Sequence, residues 1–129
     1  MLCIATGEAI IALAATTFTL SWTHSVEHTI WRESWRLAGD QLEVVEASVE
    51  GAGAGIALPE GARMTPEGWV FSPRLPPIPL LVLAASGTTP SGWTLCAGTA
   101  CHELGVVVGQ PIEIWSAPAC KQPDWVAAP

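Results

Sequence analysis

The sequence predicts an all-β fold: a single small antiparallel β-sandwich or barrel-like domain of about eight short strands. Its 129 residues, half of them hydrophobic, suit one domain with its own core. Twelve glycines and eleven prolines divide the chain into short pieces, which disfavours long helices. Several of these pieces alternate apolar and polar residues, as half-buried strands do. We assign residues 1–115 to one β domain and residues 116–129 to an extended C-terminal tail.

The candidate strands follow one another as short runs between turns. They lie at residues 2–6, 9–14, 17–22, 29–37, 42–49, 69–71, 80–85, 93–97, 100–104 and 111–115. The 17–22 and 29–37 strands are expected side by side, as in a meander. The 80–85 run is apolar on both faces, which predicts full burial. Residues 59–66 and the proline-rich residues 73–79 are predicted to be irregular.

The charge pattern argues against two classes of partner. The formal net charge is −7, and the five basic residues do not cluster: Arg32, Arg36, Arg63, Arg74 and Lys121. Nucleic acid and anionic membrane surfaces both require a basic patch, so neither is an expected partner. Cationic ligands and metal ions are easier to accommodate in so acidic a chain.

An apolar run at residues 9–20 resembles the core of an export signal but lacks its flanks. The only early charge is Glu8, whereas a signal peptide begins with basic residues. The run is also too short and too rich in threonine to span a bilayer. We expect strands here, no visible signal peptide and no membrane-spanning segment.

The four cysteines, Cys3, Cys96, Cys101 and Cys120, form one pair close in sequence and one pair near the termini. This layout suits two disulfides in an oxidising compartment, and reduced thiols in the cytosol are the alternative. A turn at Gly98-Thr99 would place Cys96 opposite Cys101, close enough for a disulfide. A zinc site is the weakest interpretation, because it requires two close Cys/His pairs and only Cys96, Cys101 and His102 lie close together in the sequence.

A two-residue turn at Gly39-Asp40 would fix the register of the hairpin around it. The predicted pairs are Leu37/Leu42, Trp35/Val44 and Glu33/Glu46 on one face, with Ala38/Gln41 beside the turn and Arg36/Glu43 on the other face. Glu33 and Glu46 would then face each other with Cα atoms about 4.5 Å apart. Two carboxylates that close require a proton, a cation or hydrogen-bond donors between them, or else exposure to water.

The segment Ser21-Trp22-Thr23-His24-Ser25-Val26-Glu27, followed by Glu33, Glu46 and the loop Gly51-Ala52-Gly53-Ala54-Gly55, resembles a bacterial family known as domain of unknown function 1850. The likeness covers residues 18–59 and continues weakly through residues 93–96. The resemblance implies a gene neighbourhood with TAXI-class tripartite ATP-independent periplasmic transporters and no established activity. It leaves the cell envelope or the periplasmic side open as a location.

These observations predict one candidate ligand-binding site built around the two glutamates. Its residues are His24, Ser25, Glu27, Glu33, Glu46, Gly51, Gly53 and Gly55. His24 would approach Glu33 from the neighbouring strand, and the glycine loop would serve as a tight turn or expose amides to a ligand.

Three functions compete for this site. The first is a non-catalytic accessory or binding module that contacts a transporter component or a small ligand. The second is a metal- or cation-binding domain that uses Glu33, Glu46 and His24, and the third is a carboxylate-dependent hydrolase. Neighbouring residues on a strand point to opposite faces, so His24 cannot readily activate Ser25. No catalytic residue and no cofactor is therefore expected.

Overall fold

The computed structural model describes residues 1–7, 9–23, 29–50, 61–66, 68–85 and 92–121. Within these ranges the chain forms eleven strands and no helix. The strands are β1 (Leu2–Ala5), β2 (Ile10–Leu13), β3 (Thr17–Thr23), β4 (Ile30–Ala38), β5 (Gln41–Val49), β6 (Arg63–Thr65), β7 (Gly68–Phe71), β8 (Leu81–Leu83), β9 (Trp93–Ala97), β10 (Ala100–Leu104) and β11 (Ile112–Ser116). The predicted all-β class is confirmed, with more strands than the roughly eight expected.

The strands form two open antiparallel sheets. The small sheet has the order β2-β1-β11-β8, and the large sheet has the order β10-β9-β3-β4-β5-β7-β6. Among the described strands neither sheet closes on itself, so the architecture is a sandwich. The predicted pairing of β3 with β4 is confirmed over its whole length, from Thr17↔Arg36 to Thr23↔Ile30. No helix of the described residues is long and apolar enough to cross a bilayer.

A continuous hydrophobic core lies between the two sheets. Its buried members are Leu2, Ile4, Phe18, Leu20, Trp35, Leu42, Val44, Leu83, Ala85, Leu95, Leu104, Ile112 and Ile114. We call the side of the large sheet that carries these residues its inner side and the opposite side its outer side. Side chains alternate between the two sides along each strand, so Arg32, Ser34 and Arg36 of β4 fall on the outer side.

Indole rings extend the inner side of the large sheet beyond this core. Trp22 stacks on Trp31, its partner on β4, with ring centroids 6.1 Å apart. Its partner on β9 is Trp93, at 5.0 Å. Trp93 also donates its indole N–H to the carbonyl oxygen of Ala84, at 2.9 Å. Three of the seven tryptophans are therefore used for cross-strand packing at one end of this sheet.

Two short segments differ from the sequence expectation. Residues 63–65, predicted to be irregular, form the edge strand β6, which pairs with β7. This strand has only three residues and no apolar alternation, so periodicity could not reveal it. The expectation that residues 80–85 are fully buried is wrong, because Val82 is 53% exposed. Val82 lies on the edge strand β8 and is not part of the core between the sheets.

Both predicted cysteine pairs are disulfides. Cys96 and Cys101 are direct partners in the β9–β10 ladder, as the turn at Gly98 predicts. Cys3, buried in β1, is bonded to Cys120 across a sequence separation of 117. The second bond fastens the segment that follows β11 to the outer face of the small sheet, where it packs near Trp115.

Candidate functional site

The hairpin of β4 and β5 follows the predicted register only near its turn. Leu37↔Leu42 and Trp35↔Val44 pair as expected, and Arg36 forms an ion pair with Glu43 at 2.6 Å. A β-bulge then shifts the register between Ser34 and Trp35. Val45 is the extra residue on β5, and the partners beyond it are Ser34↔Glu46 and Glu33↔Ala47.

The prediction that Glu33 and Glu46 face each other is therefore wrong. Glu33 lies on the inner side of the large sheet, whereas Glu46 lies on the outer side. The physical reason is burial. In a regular ladder Glu46 and Ser48 would point into the core, and a buried carboxylate carries a large desolvation cost. The bulge instead buries Ala47 and Val49, which are 5% and 0% exposed.

The bulge also produces a cavity on the outer side of the large sheet. This outer cavity has a volume of about 310 Å³ and is lined by Arg32, Ser34, Glu46, Ala47, Ser48, Arg63, Thr65 and Val70. Cross-strand pairing explains why these residues meet, because Arg32 is opposite Ser48, Ser48 is opposite Val70, and Val70 is opposite Arg63. The long cationic side chains of Arg32 and Arg63 therefore flank a cavity floor made of the shorter side chains of Ser48 and Val70.

Charge pairing differs sharply among the arginines of this sheet. Arg36 is paired with Glu43 at 2.6 Å, whereas the Arg63 guanidinium lies 3.8 Å from the Glu46 carboxylate. Among the described residues Arg32 has no ion pair. Among the described residues, the lining of the outer cavity thus contains two guanidinium groups and one carboxylate, a net positive set in a chain of net charge −7.

Glu33 has a different environment on the inner side. The Trp35 indole N–H donates a hydrogen bond to its carboxylate oxygen at 3.2 Å. Its cross-strand neighbours are Leu20 and Ala47, both buried. Burial raises the pKa of Glu33 above its ordinary value of 4.5, and the hydrogen bond from Trp35 opposes that rise only in part.

This raised pKa predicts a pH-dependent effect of Glu33→Gln on stability. The folded state holds the Glu33 proton more tightly than the unfolded chain, so the stabilisation from this group is complete below pH 4.5 and is lost as pH rises through the folded pKa. We expect wild type and variant to be similarly stable near pH 4 and the variant to gain relative stability towards pH 7. Urea unfolding at both pH values measures this. Glu103→Gln, at an exposed position of the same sheet, is the control, and an equal gain in both variants would contradict the prediction.

The remaining predicted site residues lie outside the described residues: His24, Ser25, Glu27, Gly51, Gly53 and Gly55. The proposed approach of His24 to Glu33 thus stays a prediction. Within the described ranges, no group of three His, Cys, Asp or Glu side chains could hold a metal ion.

Among the residues of the outer cavity that sequence reasoning missed are Arg32, Ser48, Arg63 and Thr65. They are spread over three strands, and two of them belong to the short strand β6. The one available signal was Val44-Val45, two adjacent β-branched residues that break the alternation of β5.

A protein-family model covers much of the chain. The family model described as "Domain of unknown function (DUF1850)" matches residues 18–104, more than half of the chain. The chain belongs to the DUF1850 family. No curated protein and no solved structure matches it.

The DUF1850 match coincides with the part of the fold that carries the outer cavity. Residues 18–104 include every strand of the large sheet, apart from the first residue of β3, and also β8. Strands β1, β2 and β11 of the small sheet lie outside the match. The family is therefore defined on the sheet in which Arg32, Glu46 and Arg63 meet.

Proposed function

We propose that this DUF1850 domain is a non-catalytic binding module and that the outer cavity holds its ligand. The β-bulge at Val45 supports the proposal, because it turns Glu46 and Ser48 towards Arg32 and Arg63 on one face. Bulges are frequent beside functional sites, where they redirect side chains. A volume of about 310 Å³ is at the lower end of the range for small-ligand pockets.

The position of the two glutamates favours binding over hydrolysis. A carboxylate-dependent hydrolase needs two acidic groups flanking the same bond of its substrate. Glu33 and Glu46 lie on opposite sides of the large sheet, so they cannot flank one bond. The same separation disfavours a metal or cation held between these two residues.

The accessory role follows from the family resemblance. A module of this kind, beside a TAXI-class transporter, would hold a small ligand or contact a transporter component. A small-ligand site on an open sheet face, accessible from solvent, suits either task.

Filling the outer cavity tests this function. Ser48→Trp places an indole between Arg32 and Val70, whereas Thr94→Trp places one on the same side of the sheet two strands from Arg32. We would titrate each protein with succinate, inorganic phosphate, choline and glucose and follow backbone amide shifts by NMR.

At least one compound should shift the amides around Ser48, and the first variant should weaken its binding by about tenfold or more, since it loses the cavity contacts. The second variant should bind as wild type does. Binding that both variants retain, or no saturable shift with any of the four compounds at millimolar concentration, would contradict the proposed function.

A further inference from the structure

The outer cavity concentrates positive charge in an acidic protein. The chain has five basic residues, and two of them, Arg32 and Arg63, line this one cavity. Their strands, β4 and β6, lie three positions apart in the sheet, so the two Cα atoms are separated by about 14 Å. Two extended arginine side chains can reach towards each other across this distance. Such an arrangement suits a ligand that both guanidinium groups contact at once.

Within the part of the chain that the structure describes, most of the hydrogen-bonding capacity of these two arginines is unused. A guanidinium has five N–H donors, and Arg36 shows how this sheet satisfies one, through Glu43 at 2.6 Å. Arg32 lies four residues earlier on the same side of β4, opposite Ser48 instead of a carboxylate. Among the described residues, the ion-pair partner of Arg63 is the distant Glu46 carboxylate, at 3.8 Å, and the Arg63 side chain is 66% exposed.

We infer that the outer cavity binds a small oxyanion, a carboxylate or a phosphate, between Arg32 and Arg63, with hydroxyl groups of Ser34 and Ser48 as further donors. This inference rests on the proposed function and specifies its ligand class. Arginine is the residue of choice for planar, bidentate recognition of carboxylate and phosphate groups. The ligand supplies to Arg32 the kind of acceptor that Glu43 supplies to Arg36 and that none of the described residues supplies to Arg32.

Glu46 acts against the ligand in this arrangement. Its carboxylate lies on the Arg63 side of the cavity and neutralises part of the positive charge there. An incoming oxyanion must therefore displace Glu46 from Arg63 or bind beside a like charge. Removing the charge of Arg32 or Arg63 should consequently weaken anion binding, whereas removing the charge of Glu46 should strengthen it.

Isothermal titration of the full chain with succinate and with inorganic phosphate tests the inference. Arg32→Gln and Arg63→Gln should each weaken binding by about tenfold or more, because each removes a charge-assisted hydrogen bond. Glu46→Gln should strengthen it several-fold. Arg74→Gln and Glu113→Gln, which make the same charge changes away from the cavity, should leave it within about twofold, since separated surface charges are screened.

Each outcome has a defined meaning. Saturable binding of either anion with this pattern supports the inference, and the stronger of the two identifies the preferred oxyanion. Equal effects of Arg32→Gln, Arg63→Gln and Arg74→Gln would overturn it. Binding of choline or glucose that Ser48→Trp abolishes, without any binding of the two anions, would overturn the ligand class and leave the proposed function intact. Matching thermal transitions of all variants show that the fold is preserved.

Discussion

Replacing both Cys3 and Cys120 by alanine should lower the free energy of unfolding by about 5 kcal/mol, because the bond closes a loop with a sequence separation of 117. A cross-link over so long a loop removes much conformational entropy from the unfolded chain. Cys3 is also fully buried in β1, between the core and the segment that ends at Cys120. Guanidinium unfolding of the oxidised proteins measures the difference.

The second disulfide provides an internal comparison. Cys96 and Cys101 are separated by only five positions, so their replacement by alanine should cost about 2 kcal/mol. Both double variants lose two sulfur atoms and leave no new unpaired thiol. Equal losses in the two variants would show that loop length does not govern the stabilisation.

Gly68→Ala should destabilise the domain by roughly 3 kcal/mol or more and abolish binding in the outer cavity. Gly68 has φ +125, which side-chain-bearing residues rarely adopt. An added Cβ would overlap the carbonyl oxygen of Val49 and lie 2.9 Å from the Cα of Glu50. Because these contacts are backbone atoms of the last residue of β5 and of the residue after it, β7 would have to move away, and Val70 and Arg63 would move with it.

Gly39→Ala is the matched control for this experiment. Gly39 also has a positive φ, +66, but nothing lies within 4 Å of a Cβ added there. It should therefore cost only the intrinsic penalty of the left-handed conformation, about 1–2 kcal/mol, and leave ligand binding unchanged. Urea unfolding and the succinate titration together test both variants. Similar losses at the two glycines, or intact binding in Gly68→Ala, would contradict the prediction.

In the hairpin of β4 and β5, the local sequence pattern correctly predicted the pairs nearest the turn. The turn residues Gly39-Asp40 fix its start, and the Arg36/Glu43 pair confirms the register close to the turn. The same logic located the disulfide between Cys96 and Cys101. In both cases the interacting residues are a few positions apart, so a turn type determines their geometry.

The prediction failed where long-range packing decides the geometry. Regular alternation placed Glu33 opposite Glu46, but the core between the two sheets favours Ala47 and Val49 on that face. The bulge places Ala47 and Val49 in the core and Glu46 outside it. This preference arises from packing against the small sheet, which the sequence of the hairpin does not contain. The outer cavity depends in addition on the β6–β7 pairing. This pairing places Arg63 in the same cross-strand row as Arg32 of β4, which lies far earlier in the sequence.

The bond between Cys3 and Cys120 also determines how the domain would respond to mechanical load. It joins points near the two ends of the described chain, with Cα atoms 5.3 Å apart. A pulling force applied at Met1 and Lys121 would pass through Leu2, Cys3 and the two sulfur atoms, and the rest of both sheets would remain outside the path of the tension. If both of these points were anchored, the disulfide would carry the load, and the sheet face with the outer cavity would stay folded while the chain on either side is stretched.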